Sequence, residues 1–370
     1  MRILFAIVDG GGNVPPQLAV ARALRQRGAE VTVVGHRGIR ERVEAAGLDF
    51  ECFSAGRHFD PTPQRSLAAI MLDFTRTAAD RALGRCVVDA ARRLGADAVV
   101  VDMILVAAIP EIERSGLPTV VFVHCFYQAV RDMAAGPVGW LLRSRGVDPL
   151  YAQHRGLLQI VTSRADLDPA PAAGNVAHTG VAWQGVPTPA NPAPVPRVLV
   201  SLSTNAFAGQ RRMLQNILDA LAPEPVDVTV TVGPGIDAAG VRVPRNASLY
   251  AWLDHDEVLA TTSLVVGHGG HSTAMRALSF SVPQVIMPAN PLIDQKLVGA
   301  ALARHGAGLL LRKHATPEHI SQAARTVLRG DHFRTAAEDL GRQIRRCDGA
   351  QVAADAITEF AGGRRETLRA

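Results

Sequence analysis

The residues best suited to chemistry cluster in the last third of a 370-residue chain, in Val265-Val266-Gly267-His268-Gly269-Gly270-His271-Ser272-Thr273, with Asp294-Gln295 further on. An apolar run, Ser263–Val266, breaks into a Gly-rich turn, and the turn opens a helix predicted over Ser272–Phe280. Backbone N–H groups and the positive end of a helix dipole then converge on one point, with the hydroxyls of Ser272 and Thr273 beside them, which makes an anion site. His268 adds a donor, and His271 either faces the same ligand or caps the helix. A second apolar run, Pro283–Pro288, leads to a loop carrying Asp294 and Gln295, side chains able to hydrogen-bond a polyol. An anion site next to polyol contacts points to a nucleotide sugar.

Placing such a turn requires parallel strands alternating with helices, and the chain has that alternation. Strands are predicted at Ile3–Val8, Glu30–Gly35, Ala98–Asp102, Thr119–His124 and Leu158–Thr162. Helices are predicted at Gln17–Gln26, Arg40–Ala46, Thr77–Leu94 and Ala107–Arg114. Residues Gly185–Pro196 hold five prolines in twelve positions, an extended segment that reads as a linker. The pattern restarts at Arg197–Ser203, Gln210–Leu221 and Val226–Val232. This divides the chain into a first α/β domain (1–184), a linker (185–196), a second domain (197–350) and a tail (351–370). The tail is helical and is expected to return to the first domain. Ligands of such folds sit at the carboxyl ends of the strands.

Composition excludes several alternatives. Hydrophobic residues make up 48% and aromatic residues 5%, and the net charge of +5 comes from 37 Arg and two Lys spread along the chain. A nucleic-acid surface would need clustered charge interleaved with aromatics, so no nucleic-acid partner is expected. Arg345-Arg346 reads as solvated surface. The four cysteines (Cys52, Cys86, Cys125, Cys347) have no metal-ligand spacing and predict reduced thiols in a cytoplasmic protein. No segment reaches the roughly 20 apolar residues of a membrane span, and Met1–Val8 reads as a first strand rather than a leader. Gly10-Gly11-Gly12 follows that strand, but Asn13, Val14 and Pro15 break the G-x-G-x-x-G spacing of a dinucleotide site.

These residues resemble a family 1 glycosyltransferase of the GT-B architecture, in its actinobacterial natural-product and macrolide-type branch. The resemblance is carried by Gly12-Asn13-Val14-Pro15-Pro16-Gln17-Leu18-Ala19 near the N-terminus and, more specifically, by Trp252 through Gln295. There His268-Gly269-Gly270-His271-Ser272-Thr273 stands where the family has H-G-G-x-G-T, and Asp294-Gln295 stands at its D-Q pair. The resemblance implies two Rossmann-like α/β domains facing each other across a cleft. It implies inverting transfer of a hexose from a UDP- or TDP-sugar to a small-molecule aglycone, phenolic or polyketide-like, with no metal and no further cofactor. His268, Gly270, His271, Ser272 and Thr273 would hold the diphosphate, and Trp252 would lie against the nucleobase. Asp294 and Gln295 would contact the sugar, and Ser203 and Thr204 would approach the phosphates or sugar.

Two positions depart from that pattern. The family's general base is a His in an H-x-x-P loop after the first strand, and here Asn13-Val14-Pro15-Pro16 puts an amide in its place. Asn cannot take a proton at neutral pH. Asp102, which matches the carboxylate that orients that His, and His124, which ends the next strand, are the candidates to replace it; His58 is less well placed. Three readings stay open: an acceptor acidic enough to need little help, another residue as base, or a weak or non-catalytic sugar-nucleotide-binding partner protein. A nucleotide-sugar epimerase would need more carboxylates. The second departure is Arg276, where the family commonly has a Glu for the ribose hydroxyls, and it leaves the nucleotide, uridine or thymidine diphosphate, undecided.

Overall fold

The computed structural model describes residues 1–60, 62–233 and 235–369; Ala370, the end of the predicted tail, lies outside them. The chain forms two compact units. One comprises Met1–Pro61, Ala68–Gln184 and Cys347–Ala370, and the other Thr62–Leu67 and Gly185–Arg346.

The first unit is built on β1 (Arg2–Ile7), β2 (Glu30–Gly35), β3 (Asp49–Cys52), β4 (Ala98–Asp102), β5 (Thr119–Val123), β6 (Leu158–Val161) and β7 (Val176–His178). They pair in the order β3-β2-β1-β4-β5-β6-β7, with every pairing parallel. The central strands are unbroken runs of β-branched and aromatic residues, AVVVD in β4 and TVVFV in β5, buried along their whole length. Such runs fit a sheet covered by helices on both faces. The first helix, Val14–Gln26, begins three residues earlier than expected, because Pro15 and Pro16 occupy its opening turn, where a missing N–H costs nothing. The helix predicted over Thr77–Leu94 is two, Leu67–Ala78 and Arg81–Leu94. Asp80 breaks the run by accepting from Ala82 N at 2.8 Å and capping the second.

The tail belongs to the first unit. The helix Gly349–Arg369 sets Ala350, Ala353, Ala354 and Ile357 into the same core as Leu18, Ala21 and Leu24 of the first helix. Asp355 and Gln351 bind Arg27 at that helix's end.

The second unit has β8 (Arg197–Ser201), β9 (Asp227–Thr231), β10 (Ala247–Tyr250), β11 (Leu264–Gly267), β12 (Gln284–Ile286) and β13 (Gly308–Leu310), in the order β10-β9-β8-β11-β12-β13 and again all parallel. The proline-rich segment is part of this unit. Ala190 N donates to Phe280 O and Asn191 N to Ala260 O, both at 2.8 Å, so the segment read as a linker is docked on this unit. Among the described residues no helix is long and apolar enough to cross a membrane.

Candidate active site

In the second unit the carboxyl ends of four strands lie in register, Tyr250 beside Thr231, Thr231 beside Ser201, and Ser201 beside Gly267. The Gly-rich turn rises from the last of these into the helix His271–Ser279. Gly269 has φ +78°, and a Cβ there would lie 2.6 Å from Ile286 Cγ2; one on Gly270 would lie 2.6 Å from His268 Nε2. The positive φ requires glycine at 269, while at 270 glycine leaves room for the His268 ring. The N-cap, Gly270, offers no side chain to the helix's first N–H groups, and Ser272 and Thr273 are half-buried in the opening turn.

His268 is buried and stacks on Phe207 with ring centroids 6.4 Å apart. Its Nδ1 faces Ser201 O at 3.4 Å. Burial holds its pKa down at about 4, against weaker opposing effects of the Ser201 carbonyl and Asp294. The ring is uncharged at neutral pH, and its carbonyl neighbour, which can only accept, favours hydrogen on Nδ1.

Asp294 and Gln295, expected on the sugar, are 2% and 1% exposed. Asp294 Oδ2 sits 2.7 Å from His271 Nδ1, and Gln295 Oε1 accepts from Ala289 N (2.7 Å) and Asn290 N (2.9 Å). Together they fasten the loop after β12 to the start of the Gly-turn helix. A sugar hydroxyl reaching Asp294 must share or displace His271. Ser203 and Thr204 lie just past β8, where Ser203 Oγ accepts from Asn205 N at 3.0 Å. Trp252, in the loop after β10, is 78% exposed.

Arg276 forms a two-pronged ion pair with Asp256 in the neighbouring helix His255–Leu259. Asp256 escaped the sequence reading because it lies 20 residues away with no helical spacing to Arg276. Arg345 is also not solvated surface. It donates to Ser279 O and Ser281 Oγ at the far end of the Gly-turn helix, where a cation complements the dipole.

In the first unit Asp102, at the end of β4, is 0% exposed and heavily coordinated. Its Oδ2 accepts from Asn13 Nδ2 and Gln17 Nε2, both at 2.6 Å, and its Oδ1 accepts from Ile104 N at 2.9 Å. Asn13 is equally occupied: Nδ2 also donates to Val8 O (2.7 Å), and Oδ1 accepts from Gly10 N (2.9 Å). Gln17 went unnoticed in the sequence, although its place one helical turn after Asn13 is the signal that would have found it. His124 follows β5, its side chain 18% exposed and its Nδ1 3.8 Å from Asp102 Oδ1. His58 lies elsewhere, edge-on to His36 with centroids 5.2 Å apart.

Residues 215–356 match the family described as erythromycin biosynthesis protein CIII-like, C-terminal domain. Demethyllactenocin mycarosyltransferase of Streptomyces fradiae is 33% identical over 164 residues, 44% of this chain and 35% of that protein. The chain spans about a third of the length of the curated relatives it matches first. Among solved structures, the calicheamicin glycosyltransferase CalG4 superposes with a TM-score of 0.75 at 23% identity, over 98% of each chain. The spinosyn rhamnosyltransferase SpnG complexed with thymidine diphosphate does so at 0.72 and 19%, over 97% of this chain and 99% of that one. The chain therefore has the GT-B fold of these glycosyltransferases, and within it residues 215–356 are similar to the erythromycin biosynthesis protein CIII-like C-terminal domain.

Proposed function

We propose that this protein is an inverting, metal-independent glycosyltransferase that moves a hexose from a thymidine diphosphate sugar to a small-molecule acceptor, phenolic or polyketide-like. The observation that carries the reading is the uncapped start of the helix His271–Ser279 on its Gly269-Gly270 turn. Its N–H groups and the hydroxyls of Ser272 and Thr273 are preorganised for a diphosphate. As the bond between the anomeric carbon and the diphosphate breaks, negative charge grows on the leaving group, and fixed dipoles at a helix N-terminus stabilise it without a cation.

The exposed Trp252 is assigned to the nucleobase. Its loop follows β10, which lies three strand spacings from β11, roughly 14 Å, a span suited to an extended nucleoside diphosphate. Ser203 and Thr204, from the strand between them and the turn, are assigned to the phosphates. Arg276 presents only donors and is paired with Asp256. The family's usual carboxylate for the ribose hydroxyls is thus absent at position 276, and losing that contact favours thymidine over uridine. The SpnG structure with thymidine diphosphate is consistent with this choice.

Titration calorimetry with thymidine and uridine diphosphate, followed by mass spectrometry of phenolic and polyketide acceptors incubated with each nucleotide-glucose, tests the proposal. Tighter binding of thymidine diphosphate and a product one hexose heavier, unaffected by EDTA, are expected. Failure to bind either nucleotide sinks the reading.

A further inference from the structure

Asp102 lies at the carboxyl end of a central strand, yet it is poorly placed to take a proton from an acceptor. No part of its side chain reaches solvent, two amides share one oxygen and a backbone N–H holds the other. Asn13 has both functional ends of its amide committed, to Gly10, Val8 and Asp102. The partly exposed titratable group nearest to Asp102 by ion-pair geometry is His124, whose Nδ1 faces Asp102 Oδ1 at 3.8 Å. Catalytic hydrogen bonds are commonly long before substrate binds.

We propose that His124 is the general base of this protein, oriented by Asp102, with Asn13 and Gln17 as positioning residues that clamp the carboxylate; the proposal rests on the glycosyltransferase reading. The acceptor's O–H proton passes to His124 Nε2, and the freed oxygen pair forms the bond to the anomeric carbon. The bond from that carbon to the diphosphate breaks, and its electrons leave with the diphosphate. The imidazolium is balanced by the Asp102 carboxylate, which orients the ring through Nδ1–H and does not itself take the proton, the division of labour of a His–Asp pair. Asn13 thus preserves the carboxylate's geometry while the base has moved from the loop after β1 to the end of β5.

Asp102 supplies the negative charge, Asn13 and Gln17 are neutral amides on that carboxylate, and the Cys125 thiol next in the chain points to Met103 Sδ at 3.7 Å. The histidine NMR signals of the full chain, assigned by loss of one set in His124→Gln, provide a readout that needs no acceptor. The expected result is an Nδ1–H tautomer for His124, with a titration midpoint that falls by about one unit or more in Asp102→Asn, as expected on losing a neighbouring carboxylate.

The second measurement is consumption of thymidine diphosphate-glucose with water, an aliphatic alcohol or 4-nitrophenol as acceptor. His124→Gln should lower turnover on the alcohol by roughly 100-fold or more with the donor KM unchanged, and lower it far less on ionised 4-nitrophenol. Equal turnover in wild type and His124→Gln, or a His124 midpoint indifferent to Asp102→Asn, overturns the base assignment while thymidine diphosphate binding leaves the glycosyltransferase reading standing. No binding, or binding with no donor consumption in the wild type, overturns both.

Discussion

Burial of His268 against Phe207 sets a pH dependence that belongs to one residue. Its pKa is about 4 in the folded chain against 6.5 for a free imidazole, so the unfolded chain binds the proton more readily. The stabilisation from keeping this ring neutral is complete above pH 6.5 and is lost as pH falls through 6.5 towards about 4. In full it amounts to roughly 3 kcal/mol. The Ser201 carbonyl and Asp294 oppose the shift, and Lys313 Nζ lies 5.4 Å from the Phe207 ring centroid. His36 and His255 are lowered in the same direction, chiefly by burial, so the wild type alone will not isolate the effect. Denaturant unfolding of wild type and His268→Asn at pH 7.5 and pH 4.5 will, because the stability difference between them should move by about 2 kcal/mol in favour of the variant at the lower pH. In the first unit, Gln17→Leu should cost about 1–3 kcal/mol by leaving Asp102 one donor short, read as a lower urea midpoint for that unit. The strand-to-helix turn was legible in the sequence because Gly, Ser, Thr and His have a joint meaning at such a turn. Gln17 was not, because a lone glutamine in an amphipathic helix looks like a solvated residue until Asp102, 85 positions away, comes to meet it.

Elements approach one another most tightly where glycine allows it. A Cβ on Gly349 would lie 2.6 Å from the carbonyl groups of Gly180 and Val181, and one on Gly341 would lie 2.4 Å from Leu278 O. Neither neighbour is a flexible side-chain end that could give way. Gly349→Ala should therefore cost about 1–3 kcal/mol in the first unit, and Gly341→Ala a similar amount in the second, each measurable as a lower melting temperature. A drop with neither variant would mean the helices slide freely over these contacts. The same exposure logic explains which strands the sequence showed. The four that escaped it, Asp49–Cys52, Val176–His178, Ala247–Tyr250 and Gly308–Leu310, are the outer strands of the two sheets. With a neighbour on one side, they are half-exposed along their length, with burial patterns unlike the unbroken apolar runs of β4 and β5. The stretch 126–147 folds into two short helices, Tyr127–Ala135 and Pro137–Arg143, too brief for a periodicity to register in the sequence.

At the scale of the whole chain, each unit has a core drawn from its own residues, but the first unit's core is completed by a segment more than 160 positions after the rest of it ends. Ala353, Ala354 and Ile357 are fully buried against the first helix, the same helix that carries Gln17. The returning helix therefore braces the element that clamps Asp102, and the link can be broken without touching either site. Ala353→Glu buries a charge with no partner in that interface and should destabilise the first unit by about 3 kcal/mol or more. Hydrogen exchange with mass spectrometry on the full-length variant should then show faster exchange across residues 2–60, 81–184 and 349–363, with protection of 197–345 unchanged. Thymidine diphosphate should still bind to the variant with wild-type affinity while transfer activity falls. Faster exchange spread evenly over both units would show that the two cores unfold as one, and the returning helix would then be a brace for the whole chain.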